Sequence, residues 1–198
     1  DLQPLDEALK PLVSQHYVGN ILDDALLKML YDRHTIGRIF HLAALLSTTG
    51  EKNPKLAHDV NVNGTQKLLD LAIRASEEQG NAVKFIFPSS IAVYGLPDLA
   101  TKEDAGAIAE DDYLFPTTMY GNNKLYCENI GRYYARYYQQ LAEERSVGID
   151  FRALRFPGLI SAHTIPSGGT SDYGPEMIHA AAQGKPYICF VRPDAALP

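Results

Sequence analysis

The sequence is poor in the residues that cross-link proteins or bind metal ions. It has 198 residues, no tryptophan and two cysteines, Cys127 and Cys189. Because these cysteines lie in no Cys-x-x-Cys or histidine-rich pattern, neither a disulfide framework nor a metal site is predicted. We expect two buried free thiols.

Runs of basic residues and long apolar runs are also absent. The formal net charge is −6, and the electrostatic footprint of a nucleic-acid-binding protein is missing. No apolar stretch reaches the roughly 20 residues that span a bilayer, and the segment DLQPLDEALK lacks the basic and apolar regions of a signal peptide. We therefore expect no membrane association, and a protein of the cytoplasm or, in a eukaryote, of the mitochondrial matrix.

The segments that are present alternate between strand-like and helix-like patterns, which predicts an α/β fold with a parallel sheet. Gly64 interrupts the apolar stripe of the helix that begins after Asn53, which indicates a close approach to a neighbour. A surface loop is predicted at Leu96–Pro116. The predicted strands are Tyr17–Gly19, Ile36–Leu42, Val83–Phe87, Ile149–Arg155 and Tyr187–Val191, and the predicted helices are Leu22–Arg33, Pro54–Leu71, Thr118–Glu144 and Pro175–Gln183.

A glycine-rich phosphate loop is the most informative absence. A dinucleotide-binding domain opens with a strand and a G-x-G-x-x-G loop, and this sequence contains no such loop. We expect a doubly wound, Rossmann-like parallel sheet that lacks its first strand or strands. The Pro- and Gly-rich stretch that follows Arg155 predicts a boundary, with a partial nucleotide-binding domain in residues 1–155 and the start of a small substrate-binding region in residues 156–198.

Tyr120 and Lys124 form the most informative pair of side chains. Their i,i+4 spacing puts both on one helix face, where an ammonium group lowers the phenol pKa of about 10 and makes a usable acid/base. The pair alone is weak evidence, since roughly 0.5 such pairs arise by chance. Ser90 strengthens it, because this serine ends a buried strand and ligands bind at the carboxyl ends of parallel strands.

The strand that ends near His41 supplies a second candidate region. Leu42, Ala43 and Ala44 follow it, and small residues there allow a flat cofactor to approach the backbone. His41 itself lies within the strand, so we expect a hydrogen-bonded core histidine rather than a catalytic one. A tyrosine-rich stripe on the helix after Thr118 is predicted to pack against the rest of the protein.

Five motifs in order resemble those of the extended short-chain dehydrogenase/reductase superfamily, the group of the nucleotide-sugar epimerases and dehydratases. The resemblance covers almost the whole chain from about Tyr17 onward. The motifs are HLAA at His41–Ala44, NVNGT at Asn61–Thr65, PSSIAVYG at Pro88–Gly95, YGNNK at Tyr120–Lys124 and LRFPG at Leu154–Gly158.

The resemblance implies an NAD-dependent enzyme with a small-molecule substrate and a homodimeric assembly. It makes Tyr120 the acid/base, Lys124 the group that holds the nicotinamide ribose, and Ser90 the hydroxyl donor. Further cofactor-binding residues implied in this way are Asn20, Ile21, Leu42, Ala43, Ala44, Asn61, Phe156, Pro157 and Gly158.

The segment after Arg155 is similar to one subgroup, the short-chain type of L-threonine 3-dehydrogenase, through RFPGLIS and GGT-x-DY. This similarity implies oxidation of the β-hydroxyl of L-threonine to 2-amino-3-oxobutanoate, with Ser47, Ser90 and Thr170 at the substrate. Two alternatives remain open. One is a nucleotide-sugar epimerase or dehydratase with the same Ser-Tyr-Lys set, and the other is a non-catalytic NAD-binding protein, because a fold alone does not fix a function.

Overall fold

The structure is a computed structural model that describes residues 2–143, 147–163 and 168–193. A short 3-10 turn at Lys10–Leu12 comes first. The helices and strands that follow are α1 (Asp24–Arg33), β1 (Arg38–Phe40), α2 (Ser47–Lys52), α3 (Pro54–His58), α4 (Gly64–Gln79), β2 (Val83–Ser90), α5 (Leu99–Asp104), α6 (Met119–Arg136), β3 (Ile149–Phe156) and α7 (Tyr173–Ala182).

The strands form one sheet in the order β1-β2-β3. Strand β1 pairs in parallel with β2, with Ile39 opposite Phe85. The predicted α/β class and Rossmann-like parallel sheet are confirmed. Strand β1 is shorter than predicted. The strands predicted at Tyr17–Gly19 and Tyr187–Val191 are wrong, because both segments are irregular in the structure.

The chain divides into two compact units, each built from three segments. Unit 1 comprises residues 1–44, 59–87 and 127–152, and unit 2 comprises residues 45–58, 88–126 and 153–198. The predicted division into residues 1–155 and 156–198 stays a prediction. The hydrophobic core of unit 1 gathers Leu69, Phe85, Phe87, Cys127 and Ile149 among its most buried members.

The predicted helix after Asn53 is interrupted. Asn53 caps its start by accepting a hydrogen bond from the Leu56 amide, but a π-helical turn at Asp59–Asn63 separates α3 from α4. Leu56, which lies in α3 ahead of this turn, is exposed. The close approach predicted for Gly64 is confirmed, because a Cβ there would lie 2.4 Å from Ile21 Cδ1.

The tyrosine-rich stripe of α6 is exposed, so the prediction that it packs inside is wrong. Tyr126, Tyr133 and Tyr137 are all exposed, whereas Cys127, Gly131 and a tyrosine outside the stripe, Tyr134, lie on the buried face of the helix. A Cβ at Gly131 would lie 2.2 Å from Phe151 Cζ, which shows how closely the helix lies to β3. The missing side chain of Gly131 permits this approach, and a bulky side chain at this position would prevent it.

Three further predictions concern the end of a helix, a surface loop and the two cysteines. The helix predicted to reach Glu144 ends at Arg136, and Glu144 itself lies outside the described residues. The loop Leu96–Pro116 contains the short helix α5. Cys127 is buried as predicted, but Cys189 is exposed because the segment around it is not part of a packed strand. Among the described helices, none has the length and hydropathy that crossing a membrane would need.

Candidate active site

The carboxyl end of β2 carries the serine of the predicted site. Ser90 ends the strand, and its Oγ accepts a hydrogen bond from the Ala92 amide at 3.1 Å, which starts a 3-10 turn. Lys124 donates from Nζ to the Pro88 carbonyl oxygen at 2.6 Å and is buried, with 5% of its surface exposed. The lysine is therefore fixed against the same strand end as the serine.

Helix α6 positions Tyr120 at this strand end. Thr118 precedes the helix, and its Oγ1 accepts from the Gly121 amide at 3.0 Å. Tyr120 lies one turn before Lys124, whose Nζ is 5.5 Å from the centre of the tyrosine ring. The Tyr120 hydroxyl is hydrogen-bonded to the side chain of Ser90. Unit 2 thus brings Ser90, Tyr120 and Lys124 together, as their predicted roles require.

The pKa of Tyr120 lies above its ordinary value of 10.0. Partial burial of the phenol is the larger cause, because it disfavours the charged phenolate, and the hydrogen bond from Ser90 acts in the opposite direction and lowers the pKa. The net shift is therefore opposite to the direction that the Tyr120–Lys124 spacing predicts, because burial of the phenol has the larger effect. Tyr120 is a phenol at neutral pH.

Gly121 sets the distance between the tyrosine helix and the serine turn. A Cβ on this residue would lie 2.1 Å from the Ala92 carbonyl oxygen and 2.8 Å from Pro116 Cβ. Only a glycine allows the first turn of α6 to lie so close to the backbone that follows Ser90. The glycine between Tyr120 and Lys124 is therefore a geometric requirement of the site.

The residues predicted at the substrate, Ser47 and Thr170, also meet within unit 2. Ser47 is buried, and its Oγ accepts from the Thr170 amide at 3.1 Å while lying 3.5 Å from Thr170 Oγ1. The loop that holds Thr170 is organised by Asp172, whose carboxylate accepts from the amides of Gly168 and Gly169. A polar pair, 123 residues apart in sequence, is thus built into the fold.

The residues predicted to bind a cofactor are distributed over both units. In unit 1, Leu42 and Ala43 are exposed beyond the carboxyl end of β1, and Asn20 accepts a bond from the Leu22 amide before α1. The side chain of Ile21 packs against Gly64. Ala44 and Asn61 belong to this unit, and Tyr120, Lys124, Phe156, Pro157 and Gly158 belong to unit 2.

Asn61 is the most buried of the predicted cofactor residues, with 3% of its surface exposed. It lies in the π-helical turn, and its carbonyl oxygen accepts bonds from Thr65 Oγ1 and from the Cys127 thiol. Thr65 Oγ1 is also 2.8 Å from Nε2 of His41. His41 is therefore the hydrogen-bonded core histidine that the sequence predicts.

The described residues fit a nicotinamide cofactor better than a metal ion. In the described ranges, no group of three or more His, Cys, Asp or Glu side chains could hold a metal. The donor set of unit 2 consists instead of a phenol, an ammonium group and a hydroxyl at one strand end, and the exposed Phe156 of the same unit offers apolar surface.

Three polar residues with positioning contacts were missed in the sequence. Asp172 accepts from amides three and four residues earlier, whereas an Asx turn uses an amide two residues later, so the usual turn signal does not mark it. Glu51 accepts from the Met119 amide at 2.7 Å, and Arg155 donates to the Tyr94 hydroxyl at 2.8 Å. These partners lie 68 and 61 residues away, and no local pattern marks them.

A Ser-Tyr-Lys set at the carboxyl end of a parallel strand defines the class of the short-chain dehydrogenases/reductases. Comparison with known proteins agrees, because residues 5–151 match the family described as GDP-mannose 4,6 dehydratase. The chain belongs to the extended short-chain dehydrogenase/reductase family of epimerases and dehydratases.

Several relatives within this family are threonine dehydrogenases. The chain is 34% identical over 187 residues to the mitochondrial L-threonine 3-dehydrogenase of Bos taurus, covering 91% of this chain and 43% of the relative. An uncharacterized epimerase/dehydratase of Staphylococcus haemolyticus is 38% identical over 156 residues, covering 79% of this chain and 43% of the relative.

Solved structures show the same similarity. A holo-form, GalE-like L-threonine dehydrogenase from Cupriavidus necator superposes with a TM-score of 0.76 at 36% identity, covering 92% of this chain and 53% of that one. A partial consensus L-threonine 3-dehydrogenase gives a TM-score of 0.76 at 37% identity, with 92% and 53% covered. The chain spans about half the length of the relatives that it matches.

Proposed function

We propose that this chain is part of an NAD-dependent L-threonine 3-dehydrogenase. The reaction is oxidation of the β-hydroxyl of L-threonine to 2-amino-3-oxobutanoate. The observation that carries the proposal is the convergence of Ser90, Tyr120 and Lys124 in unit 2, together with a second polar pair, Ser47 and Thr170, in the same unit. The threonine dehydrogenases among its relatives point to the same substrate.

Each side chain has a defined task in this mechanism. The β-hydroxyl of threonine lies between Ser90 and Tyr120, where the serine hydroxyl donates a hydrogen bond to the substrate oxygen. The proton acceptor is the ionised form of Tyr120, whose population grows as the pH rises towards the raised pKa. It accepts the hydroxyl proton at Oη, and the electron pair of the broken O–H bond forms the carbonyl. A bound NAD⁺ supplies the chemistry of hydride acceptance from the same carbon.

Lys124 and the polar pair hold the reacting groups in place. The short bond from Nζ to the Pro88 carbonyl keeps the ammonium group beside the tyrosine ring. Ser47 and Thr170 are short polar residues of the size that a small zwitterion requires, and we propose that they bind it. For the cofactor we propose Lys124 as the group that holds the nicotinamide ribose, and we propose the other residues implied by the family resemblance, Asn61 included, as further cofactor-binding residues.

The proposal is tested by NAD⁺ reduction in the complete gene product, followed by the absorbance of the reduced cofactor. The substrates are L-threonine, L-serine and a panel of UDP- and dTDP-sugars. Tyr120→Phe keeps the ring and removes the proton acceptor, so we expect turnover with threonine to be nearly abolished while NAD⁺ affinity stays within about twofold. A Tyr120→Phe variant that keeps most of its turnover contradicts the proposed role.

Other outcomes distinguish the alternatives. Silence with threonine together with turnover of a nucleotide sugar assigns the protein to the epimerase/dehydratase branch. NAD⁺ binding without any turnover assigns it to a non-catalytic protein of this fold. A homodimer is part of the proposal, and because one relative at 37% identity is described as monomeric, sedimentation of the complete gene product decides the assembly.

A further inference from the structure

Helix α2 lies between the two polar groups of unit 2 and contacts both of them. Its first residue, Ser47, binds Thr170 through the Thr170 amide, and the Thr48 amide donates to the Gly168 carbonyl at 3.3 Å. One turn later the buried Gly50 lies against the tyrosine helix, where a Cβ would be 3.9 Å from the Tyr120 backbone nitrogen. One short helix therefore spans from the proposed substrate pair to the proposed acid/base.

Glu51 makes the polar bond across this second contact. Its carboxylate oxygen accepts a hydrogen bond from the Met119 amide at 2.7 Å. Met119 is the first residue of α6, so this amide is one of the helix donors that has no partner within the helix. Negative charge at a helix N-terminus is also stabilised by the helix dipole. The carboxylate thus fixes the turn that contains Tyr120.

We propose that Glu51 is a positioning residue that fixes Tyr120 to helix α2, and thereby sets the geometry between the acid/base and the Ser47–Thr170 pair. The proposal rests on the proposed function, and it adds a residue to which neither the motifs nor the relatives assign a role. Glu51 acts through the backbone of Met119 and takes no part in the proton transfer.

The test uses two substitutions at this position and a matched control elsewhere. Glu51→Ala removes the acceptor, whereas Glu51→Gln keeps an oxygen of the same reach. Asp98→Ala is the control, because Asp98 accepts in the same way from the Thr101 amide at 2.7 Å at the start of α5. Both alanine variants lose one acidic helix cap, and only one of these caps holds the proposed site.

For Glu51→Ala we expect kcat with L-threonine to fall about tenfold, because a displacement of about 1 Å at a reacting group costs up to about a hundredfold in rate. The KM for NAD⁺ stays within about twofold. Glu51→Gln restores most of the lost kcat, and Asp98→Ala keeps the wild-type kcat. Both alanine variants lower Tm by a similar few degrees, so stability alone does not account for the difference.

Two kinetic results would overturn the proposal: wild-type kcat in Glu51→Ala, or an equal loss of kcat in Asp98→Ala. If the wild-type protein does not oxidise threonine, the proposed function fails and the positioning role is read by another signal. Tyrosines labelled with ¹³C at Cζ are then observed by NMR, with the Tyr120 resonance assigned by Tyr120→Phe. Glu51→Ala must shift this resonance while Asp98→Ala leaves it in place, and an unchanged resonance refutes the role of Glu51.

Discussion

The close contact at Gly121 leads to a sharp prediction for Gly121→Ala. The added methyl group would lie 2.1 Å from the Ala92 carbonyl oxygen, whereas ordinary contact begins at 3.4 Å, so the gap must open by about 1.3 Å. The opposing atom belongs to the backbone and cannot rotate away. The first turn of α6 must therefore move away from the turn that follows Ser90, and Tyr120 moves with it.

Two opposing contributions decide the stability of this variant. Overpacking lowers the free energy of unfolding by about 1–3 kcal/mol. Because the neighbour of Gly121 is rigid backbone, we expect a loss of about 3 kcal/mol, at the upper end of this range. Replacing glycine by alanine within a helix returns about 1 kcal/mol. The free energy of unfolding should therefore fall by about 2 kcal/mol, which corresponds to a Tm lower by about 4–8 °C for a domain of this size.

Thermal unfolding followed by circular dichroism and the kcat for threonine oxidation are the two assays. A displacement of about 1 Å between Tyr120 and Ser90 predicts a loss in kcat of up to about a hundredfold. Gly37→Ala is the control, because a Cβ there meets nothing within 4 Å. A Gly121→Ala variant with a higher Tm and unchanged kcat would refute the reasoning, since only the helix propensity would then have acted.

Two further predictions concern pH. The hydrogen bond from Ser90 lowers the pKa of Tyr120. Ser90→Ala should therefore shift the alkaline rise of kcat/KM for oxidation to higher pH, whereas Ser90→Thr should not. The same pH profile in wild-type and Ser90→Ala protein would contradict this effect. Burial and the Asp70 carboxylate raise the pKa of Tyr134 well above 10.0. Its contribution to stability is therefore fully present below about pH 10 and lost as the pH rises through the higher folded-state pKa. Tyr134→Phe should make urea-unfolding free energies fall less steeply above pH 10, and an equally steep fall would count against this contribution.

Local sequence patterns predicted the elements that carry the site better than they predicted which faces are buried. The i,i+4 spacing of Tyr120 and Lys124 and the serine at the end of a buried strand are local signals, and the structure joins them as expected. The tyrosine face of α6 was predicted wrongly. A stripe of large side chains at helical spacing says only that they share a face, and here the small residues Gly131 and Cys127 lie inside.

The pKa of Tyr120 shows the same limit on a single residue. The sequence places an ammonium group one helical turn away, from which a lower pKa follows. Whether the pKa falls or rises also depends on how deeply the ring is buried, which the sequence does not show. Burial of the Tyr120 phenol is the larger cause, and it raises the pKa.

The sequence by itself determined the family, the α/β class and the identity of the chemical groups, because motifs and strand–helix alternation are written over short stretches of chain. The tertiary structure alone decided which distant groups meet. The bonds of Glu51 to Met119 and of Ser47 to Thr170 join residues 68 and 123 positions apart. Contacts of this kind depend on how helices pack, and packing is fixed by side-chain volume and close backbone approach across the whole fold rather than by any local pattern.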